Sequence, residues 1–397
     1  MVDLTAGLCD LPKELKVLVL SHIEHIEAHH ILALSSTFQE AFSLLRALPR
    51  PLDFEGVEGD IVGLLVVRLL DNDRVRSLEK ERALELIGVH QDRLCEYACV
   101  QRNFEVLKWA HNKLDLPWAP YPAGHVSDDV LVLRMLREAS GCACYVKLKE
   151  KWRVDVGPEK WRGVTMENGR VVKLEVEGVG LTGAVPAEIE QLTSLTRLNL
   201  RGNRLTSLPA EIGQLTSLTV LDLRSNKLTS VPAEIWQLTS LTVLTLEGNR
   251  LTSVPPEIGR LTSLEMLDLF GNELTSLPAE IGQLTALKWL SLAYNRLTSV
   301  PAEIGQLTSL ERLELNSNRL TSLPAEIGQL TSLKWLSLAY NQLTSVPAEI
   351  GQLTSLTGLN LGDNQLWPDG MSSPAAIREL RAAGCTVYLD DDVTLDE

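Results

Sequence analysis

Between residues 195 and 366, apolar and polar positions recur eight times with a period of 23 residues and no slip in register. Leu195, Leu218, Leu241, Leu264, Leu287, Leu310, Leu333 and Leu356 each open a unit. In the unit that opens at Leu218, Leu221 and Leu223 alternate with Val220, Asp222 and Arg224, the period of a short strand with one buried face. Leu218, Leu228, Val231, Ile235 and Leu238 complete a set of seven aliphatic side chains that share one core. One unit cannot enclose that set, so the pattern predicts stacked units whose strands lie about 4.8 Å apart in a parallel sheet. Asn226 and its equivalents (Asn203, Asn249, Asn272, Asn295, Asn318, Asn341, Asn364) should form a ladder of amides that satisfy backbone groups in the turns. Pro232 fixes φ and keeps the return leg extended, and glycines such as Gly213 and Gly259 are expected to relax the next bend. Trp236 stands where the other full units have Gly.

The 23-residue period and the L-x-x-L-x-L-x-x-N-x-L order resemble a leucine-rich repeat array. The L-P-x-E-I-G-x-L return leg is most similar to the intracellular Ras-group class of such repeats, whose members are mostly non-catalytic scaffolds. The resemblance implies an α/β solenoid, a horseshoe with a parallel concave sheet, preceded here by a small all-α region.

The flanks carry other patterns. Residues 1–9 read as a free N-terminus. In residues 10–52, Leu15, Val19, Ile23 and Ile26 keep helical spacing, and Ile31, Leu32 and Leu34 begin a second apolar face. Pro12 suits a first helical turn, with Asp10 as its cap. Leu11, Pro12 and Leu15, then Val19, Leu20 and Ile23, then Ile31 and Leu32 resemble an F-box. That resemblance implies docking on a Skp1-like subunit of a cullin ubiquitin ligase; an ordinary helical hairpin is the competing reading. Phe38 or Phe42 takes the place of the motif's usual Trp, and His29-His30 the place of an acidic position. Residues 53–150 read as helical. Within them NFEVLKWAHNK, with Ala98 and Cys99 upstream, resembles a divergent ankyrin-type repeat, and Val130 to Leu136 starts another.

Residues 151–170 form the expected N-cap, where WRGVTMENGR resembles the entry to plant-type leucine-rich repeats, with Met166 at their Cys position. Residues 171–366 hold one degenerate unit, with Val179 at the Asn position and one extra residue near Gly183, and then the eight regular ones. Residues 367–389 read as a C-terminal cap, with a helix from Pro374 to Ala383, a Gly384 stop and a strand from Thr386 to Leu389. An acidic tail, 390–397, follows.

Composition narrows the classes of function. The chain has 397 residues, a net charge of -15 and a pI near 5.0, which argues against a nucleic-acid surface. No basic n-region with an apolar core opens the chain, and the longest apolar run, Ile61 to Leu70, is too short to span a bilayer and contains Arg68. No membrane partner is expected. The six cysteines (Cys9, Cys95, Cys99, Cys142, Cys144 and Cys385) form no paired set. The sequence therefore predicts a chain of a reducing compartment, cytoplasmic first, with the nucleus as the alternative. Cys95 and Cys99, near His90 and His111, match no common zinc spacing and read as small buried residues, so neither metal nor cofactor is expected. No phosphate loop, no His-Glu-x-x-His and no Ser-His-Asp arrangement appears. Cys385 leaves no room for the separate catalytic domain of bacterial leucine-rich repeat ligases. A non-enzyme is expected.

Function is then expected on the outward strand positions. Arg197, Arg201 and Arg224, with Arg204, Lys227 and Arg250, make the early units basic. Met266, Phe270, Trp289, Tyr294, Arg312, Trp335 and Tyr340 form an aromatic patch about 14 Å across. Aromatic residues, Met and Arg are the types enriched at interface centres. These residues are the predicted site for a protein partner, in an F-box-type adaptor or in a scaffold without a ligase. Units 287–309 and 333–355 differ at one residue, so recent duplication also accounts for Trp335 and Tyr340.

Overall fold

The computed structural model describes residues 128–139, 152, 157–366 and 375–389. The chain divides into two compact units, residues 1–139 with 153–157 and residues 140–152 with 158–397. In the first, the described element is helix α1 (Asp128–Ala139), whose first turn carries Asp128 and Asp129 at the positive end of the helix dipole. Val130 to Leu133 and Leu136 are buried, which agrees with the helical reading of that stretch. The F-box-like segment and most of the ankyrin-like region lie outside the described residues.

The second unit is built on a sheet of 11 strands. It begins with an antiparallel hairpin, β1 (Val164–Glu167) on β2 (Arg170–Glu175). After β3 (Thr182–Ala184) come β4 (Arg197–Asn199) and β5 (Arg204–Ser207), where β3 and β5 pair in a small sheet of their own. Seven strands then recur at the period of the sequence: β6 (Val220–Asp222), β7 (Val243–Thr245), β8 (Met266–Asp268), β9 (Trp289–Ser291), β10 (Arg312–Glu314), β11 (Trp335–Ser337) and β12 (Gly358–Asn360). Helix α2 (Ala375–Ala382) and strand β13 (Thr386–Tyr388) close the array. From β2 to β13 every neighbouring pair in the large sheet is parallel, and Leu198, Leu221, Leu244, Leu267, Leu290, Leu313, Leu336 and Leu359 stand side by side.

The strands are short because each unit turns sharply before its Asn. The residue just ahead of that Asn is left-handed in every regular unit: Gly202, Ser225, Gly248, Gly271, Tyr294, Ser317, Tyr340 and Asp363. The turn is held by the Asn ladder. Asn249 Nδ2 donates to Leu223 O and Leu246 O at 3.0 Å each, and its Oδ1 accepts from Leu228 N at 3.0 Å. Each amide thus ties its own unit to the preceding one and leaves no buried donor or acceptor of its own unpaired. Val179, at the Asn position of the degenerate unit, is simply buried, and Asn203 of the next unit serves Gly180 N and Leu181 N. The β3–β5 pair shifts register between Gly183 and Ala184, where β5 passes over Thr206.

The return legs follow the proline. Pro232 sits at φ -65 and ψ 150, and a 3-10 turn, Ala233–Gln237, follows it. Two expectations need correction. The glycine of this turn does not relax a bend, since Gly213 and Gly259 are absent from the left-handed residues. It allows close approach: a Cβ on Gly213 would lie 2.7 Å from the Glu234 carbonyl oxygen, and one on Gly305 would lie 2.5 Å from that of Glu326. Val231 is half-buried, whereas Val254, Val300 and Val346 at the same position are buried. Trp236 fills the glycine position with a fully buried ring whose indole N–H meets no acceptor. Where Gly213 leaves two turns in contact, Trp236 must hold its turn and the next apart, and that next turn starts with Pro256 in place of Ala.

Both ends are sealed. Trp152 stacks on Trp161 (5.0 Å between centroids, 12° between planes) and donates its indole N–H to Arg162 O at 3.0 Å. At the far end α2 buries Ala376, Ile377 and Leu380, Gly384 (φ 94) stops it, and β13 pairs with β12. The last strand is one residue shorter than expected.

Candidate protein-binding face

The parallel register turns three outward positions of the repeat into three rows. The first runs Arg197, Val220, Val243, Met266, Trp289, Arg312, Trp335, Gly358. The second runs Asn199, Asp222, Thr245, Asp268, Ser291, Glu314, Ser337, Asn360 along the same strands. The third, just beyond the strands, carries Arg201, Arg224, Glu247 and Phe270, with Tyr294 and Tyr340 one residue further.

In the early units Arg197 and Arg201 are exposed, but the region is less basic than the sequence implied. Arg201 lies 3.7 Å from Glu177, and Arg224 reaches both Asp222 (2.6 Å) and Glu247 (3.8 Å). The Asp222 carboxyl is pushed up by burial, yet the hydrogen bonds and charge of Arg224 outweigh this and leave it below its ordinary value. That pair is self-contained.

The aromatic residues stand together over the middle and late units. Met266, Phe270, Trp289 and Trp335 are half-buried, while Tyr294 and Tyr340 are 55% and 59% exposed. Phe270 and Tyr294 tilt against each other with centroids 4.9 Å apart. Arg312 lies 5.7 Å above the Trp335 ring and is anchored to Glu314, which also accepts from Ser291 Oγ at 2.9 Å. Gly358 faces outward but is buried, because the Trp335 ring occupies the space its Cβ would take. The indole N–H of Trp289 is buried without an acceptor.

Two features escaped sequence reasoning. Tyr294 and Tyr340 hold φ at 56, in the left-handed region that Gly202, Gly248 and Gly271 occupy in three other units and the small polar residues Ser225, Ser317 and Asp363 in the rest. For a bulky residue this is a strained conformation, and such strain is characteristic of functional positions. The second row also went unused, although its signal was present: the residue between two buried leucines of a strand must face outward. In that row burial, reinforced by the charges of Glu247 and Glu314, pushes the Asp268 carboxyl up to about 6, against the opposing pull of the Phe270 N–H and Arg224.

Among the described residues, no group of three or more His, Cys, Asp or Glu side chains is placed to hold a metal ion. No described helix is long and apolar enough to cross a membrane. Cys385 is buried and unbridged.

Comparison with known proteins places these rows in a family context. A model of a leucine-rich repeat region matches residues 166–268 and 243–319, and a second leucine rich repeat model matches 308–366. Among solved structures, the chain is similar to the Leptospira interrogans LRR protein LIC12759, at 39% identity over 54% of this chain and 59% of that one (TM-score 0.45). It is also similar to the LRR ectodomain of the plant membrane receptor kinase GASSHO1/SCHENGEN3 from Arabidopsis thaliana, solved in complex with Casparian strip integrity factor 2. That match has 29% identity over 60% of this chain and 33% of that one (TM-score 0.53). A third similar structure is the PEPR1–AtPEP1 complex, at 25% identity over 66% of this chain and 41% of that one (TM-score 0.56). The chain thus spans less than two thirds of the length of each of these proteins.

Proposed function

Residues 166–366 make this chain a leucine-rich repeat protein, and from that premise we propose that its concave sheet face docks another protein. The observation that carries this reading is the cluster of Met266, Trp289, Arg312 and Trp335 on four consecutive strands with Phe270, Tyr294 and Tyr340 just beyond them. Tyr294 and Tyr340 are more than half exposed beside the half-buried Phe270, Trp289 and Trp335, and clustered exposed aromatics mark contact surfaces. Two similar structures, GASSHO1/SCHENGEN3 and PEPR1, are complexes, with Casparian strip integrity factor 2 and AtPEP1 respectively. Arg197 and Arg201 extend the face at its N-terminal end.

A photo-crosslinking residue at Tyr294, compared with one at Thr285 on the return side, tests the proposal in cells. The expected result is a discrete protein adduct from position 294 alone, lost when Trp289→Ala and Trp335→Ala are added. Equal labelling from both positions would overturn it.

The more specific form is a substrate adaptor of a cullin ligase, with residues 10–52 engaging a Skp1-like subunit. It is supported by the F-box resemblance of Leu11, Pro12, Leu15, Val19, Leu20, Ile23, Ile31 and Leu32. Purified chain should then bind a Skp1-type protein, and Leu15→Asp with Leu20→Asp should abolish it. Failure of the folded wild-type chain to bind leaves the scaffold reading in its place.

A further inference from the structure

Three acids stand in the second row of the regular units: Asp222, Asp268 and Glu314. Two of them receive a cation from their own strand or its exit. Arg224 closes on Asp222 through Nε and Nη2, and Arg312 closes on Glu314 at 2.6 Å. Asp268 receives none, because Met266 and Phe270 occupy the two positions from which the arginines reach the others.

Asp268 is nevertheless the most buried of the three, at 5% exposure. One carboxylate oxygen accepts the Phe270 N–H at 3.0 Å, and among the described residues the carboxylate makes no ion pair. The charges that act on it include Glu247 and Glu314, of its own sign, while Arg224, the cation that opposes them, is already paired with Asp222 and Glu247. A buried carboxylate without a counter-ion is costly, and the free chain bears that cost above about pH 6, where the carboxyl is ionised.

We infer that Asp268 is the seat of one lysine or arginine side chain from an extended segment of the partner. This rests on the sheet face being the docking surface. Charge complementarity selects the cation, and the surroundings select its shape. The long alkyl stem of Lys or Arg covers apolar surface while its charged tip meets the acid. Met266 precedes Asp268 on its own strand, Phe270 follows just beyond it, and Trp289 stands on the next strand, so stem and tip both find contacts, including a ring face for the cation. The neighbouring Thr245 and Ser291 add hydroxyl oxygens in the same row. An acidic or neutral segment would leave the carboxylate as it is in the free chain.

The test is selection of displayed random nonapeptides on the immobilised full-length chain at pH 7.5, repeated with Asp268→Asn. The expected peptides carry a fixed Lys or Arg beside an apolar side chain. Asp268→Asn, whose amide oxygen still accepts the Phe270 N–H, should lose the cationic preference and keep the apolar one. For a selected peptide free of His, Asp and Glu, affinity for the wild-type chain should fall about tenfold between pH 7.5 and pH 5, as the carboxyl protonates. Replacing its lysine by norleucine should cost at least as much and flatten the pH profile. These last two measurements need no variant of the protein. Peptides selected without a cation, or with one that Asp268→Asn ignores, would overturn the inference and leave the docking face standing. A folded chain that retains no peptide would overturn the docking of extended segments and the inference with it.

Discussion

Single side chains in this chain are set against the demands of the turn and the core in ways that can be measured. Asn249 pairs four backbone groups of two units, three of them at 3.0 Å, so Asn249→Ala orphans buried donors and acceptors at about 1–3 kcal/mol each, and a loss of about 3 kcal/mol is expected in chemical denaturation. Tyr294 works in the opposite direction. Gly202, Gly248 and Gly271 occupy the same left-handed position without strain, so Tyr294→Gly should stabilise the chain by about 1 kcal/mol while weakening whatever binds the face. A thermal melt beside a binding isotherm would separate the two effects. Asp268 makes a third case. Its folded value of about 6 lies above the ordinary 3.8, so the folded chain holds that proton more tightly than the unfolded one. Stability from this group therefore grows as pH falls from above 6 towards 4. Asp268→Asn should stabilise the chain by on the order of 2 kcal/mol at pH 7.5, and that advantage should vanish near pH 4.

At the scale of the element, the repeat turn shows how far pattern carries and where it stops. A glycine in a 3-10 turn suggests freedom of φ, yet the demand at Gly213, Gly305 and their equivalents is for an absent Cβ against the next turn. Gly305→Ala should accordingly cost about 2 kcal/mol or more through overpacking, although alanine favours such a turn. Trp236 is the complement. Returning it to the consensus by Trp236→Gly should cost about 3 kcal/mol in denaturation, because the neighbouring turn has been set apart to hold the ring. The period, the strands, the Asn ladder and the closing helix and strand were all legible, since buried leucines repeat at fixed spacing and each obeys local rules. The aromatic face was legible for the same reason. Contacts between charged neighbours were not. The pairing of Arg224 with Asp222 depends on side-chain directions across a turn, and the isolation of Asp268 appears only once the rows are aligned strand by strand. The left-handed tyrosines were hidden because their residue type disfavours the conformation the turn imposes.

For the repeat unit as a whole, stability is a chain of neighbour contacts, and the two ends decide whether it frays. Ile377 lies fully buried in α2 against the last repeat turn, where Ala376 stands beside Gly351. Ile377→Asp should strip the cap, and hydrogen exchange should then accelerate first at β12 and β11 and least at β4. Repetition has another consequence at this scale. The units opening at Leu287 and Leu333 differ only at Arg296 and Gln342, so a ligand side chain that settles on Trp289 and Tyr294 finds a second, matching seat on Trp335 and Tyr340. Those seats lie two strands apart, roughly 10 Å, like equal marks on a ruler. A surface made only of copies would let a bound segment shift by that step with no change in energy. What pins the position is the unlike residues beside each copy: uncompensated Asp268 ahead of the first tryptophan, and the Glu314-bound Arg312 and the cap's Tyr388, 6.0 Å from the ring, beside the second. Alignment of the proposed partner along this face is thus written in its departures from the repeat, and a chain lengthened by one more identical pair of units would gain reach while blurring where such a partner would sit.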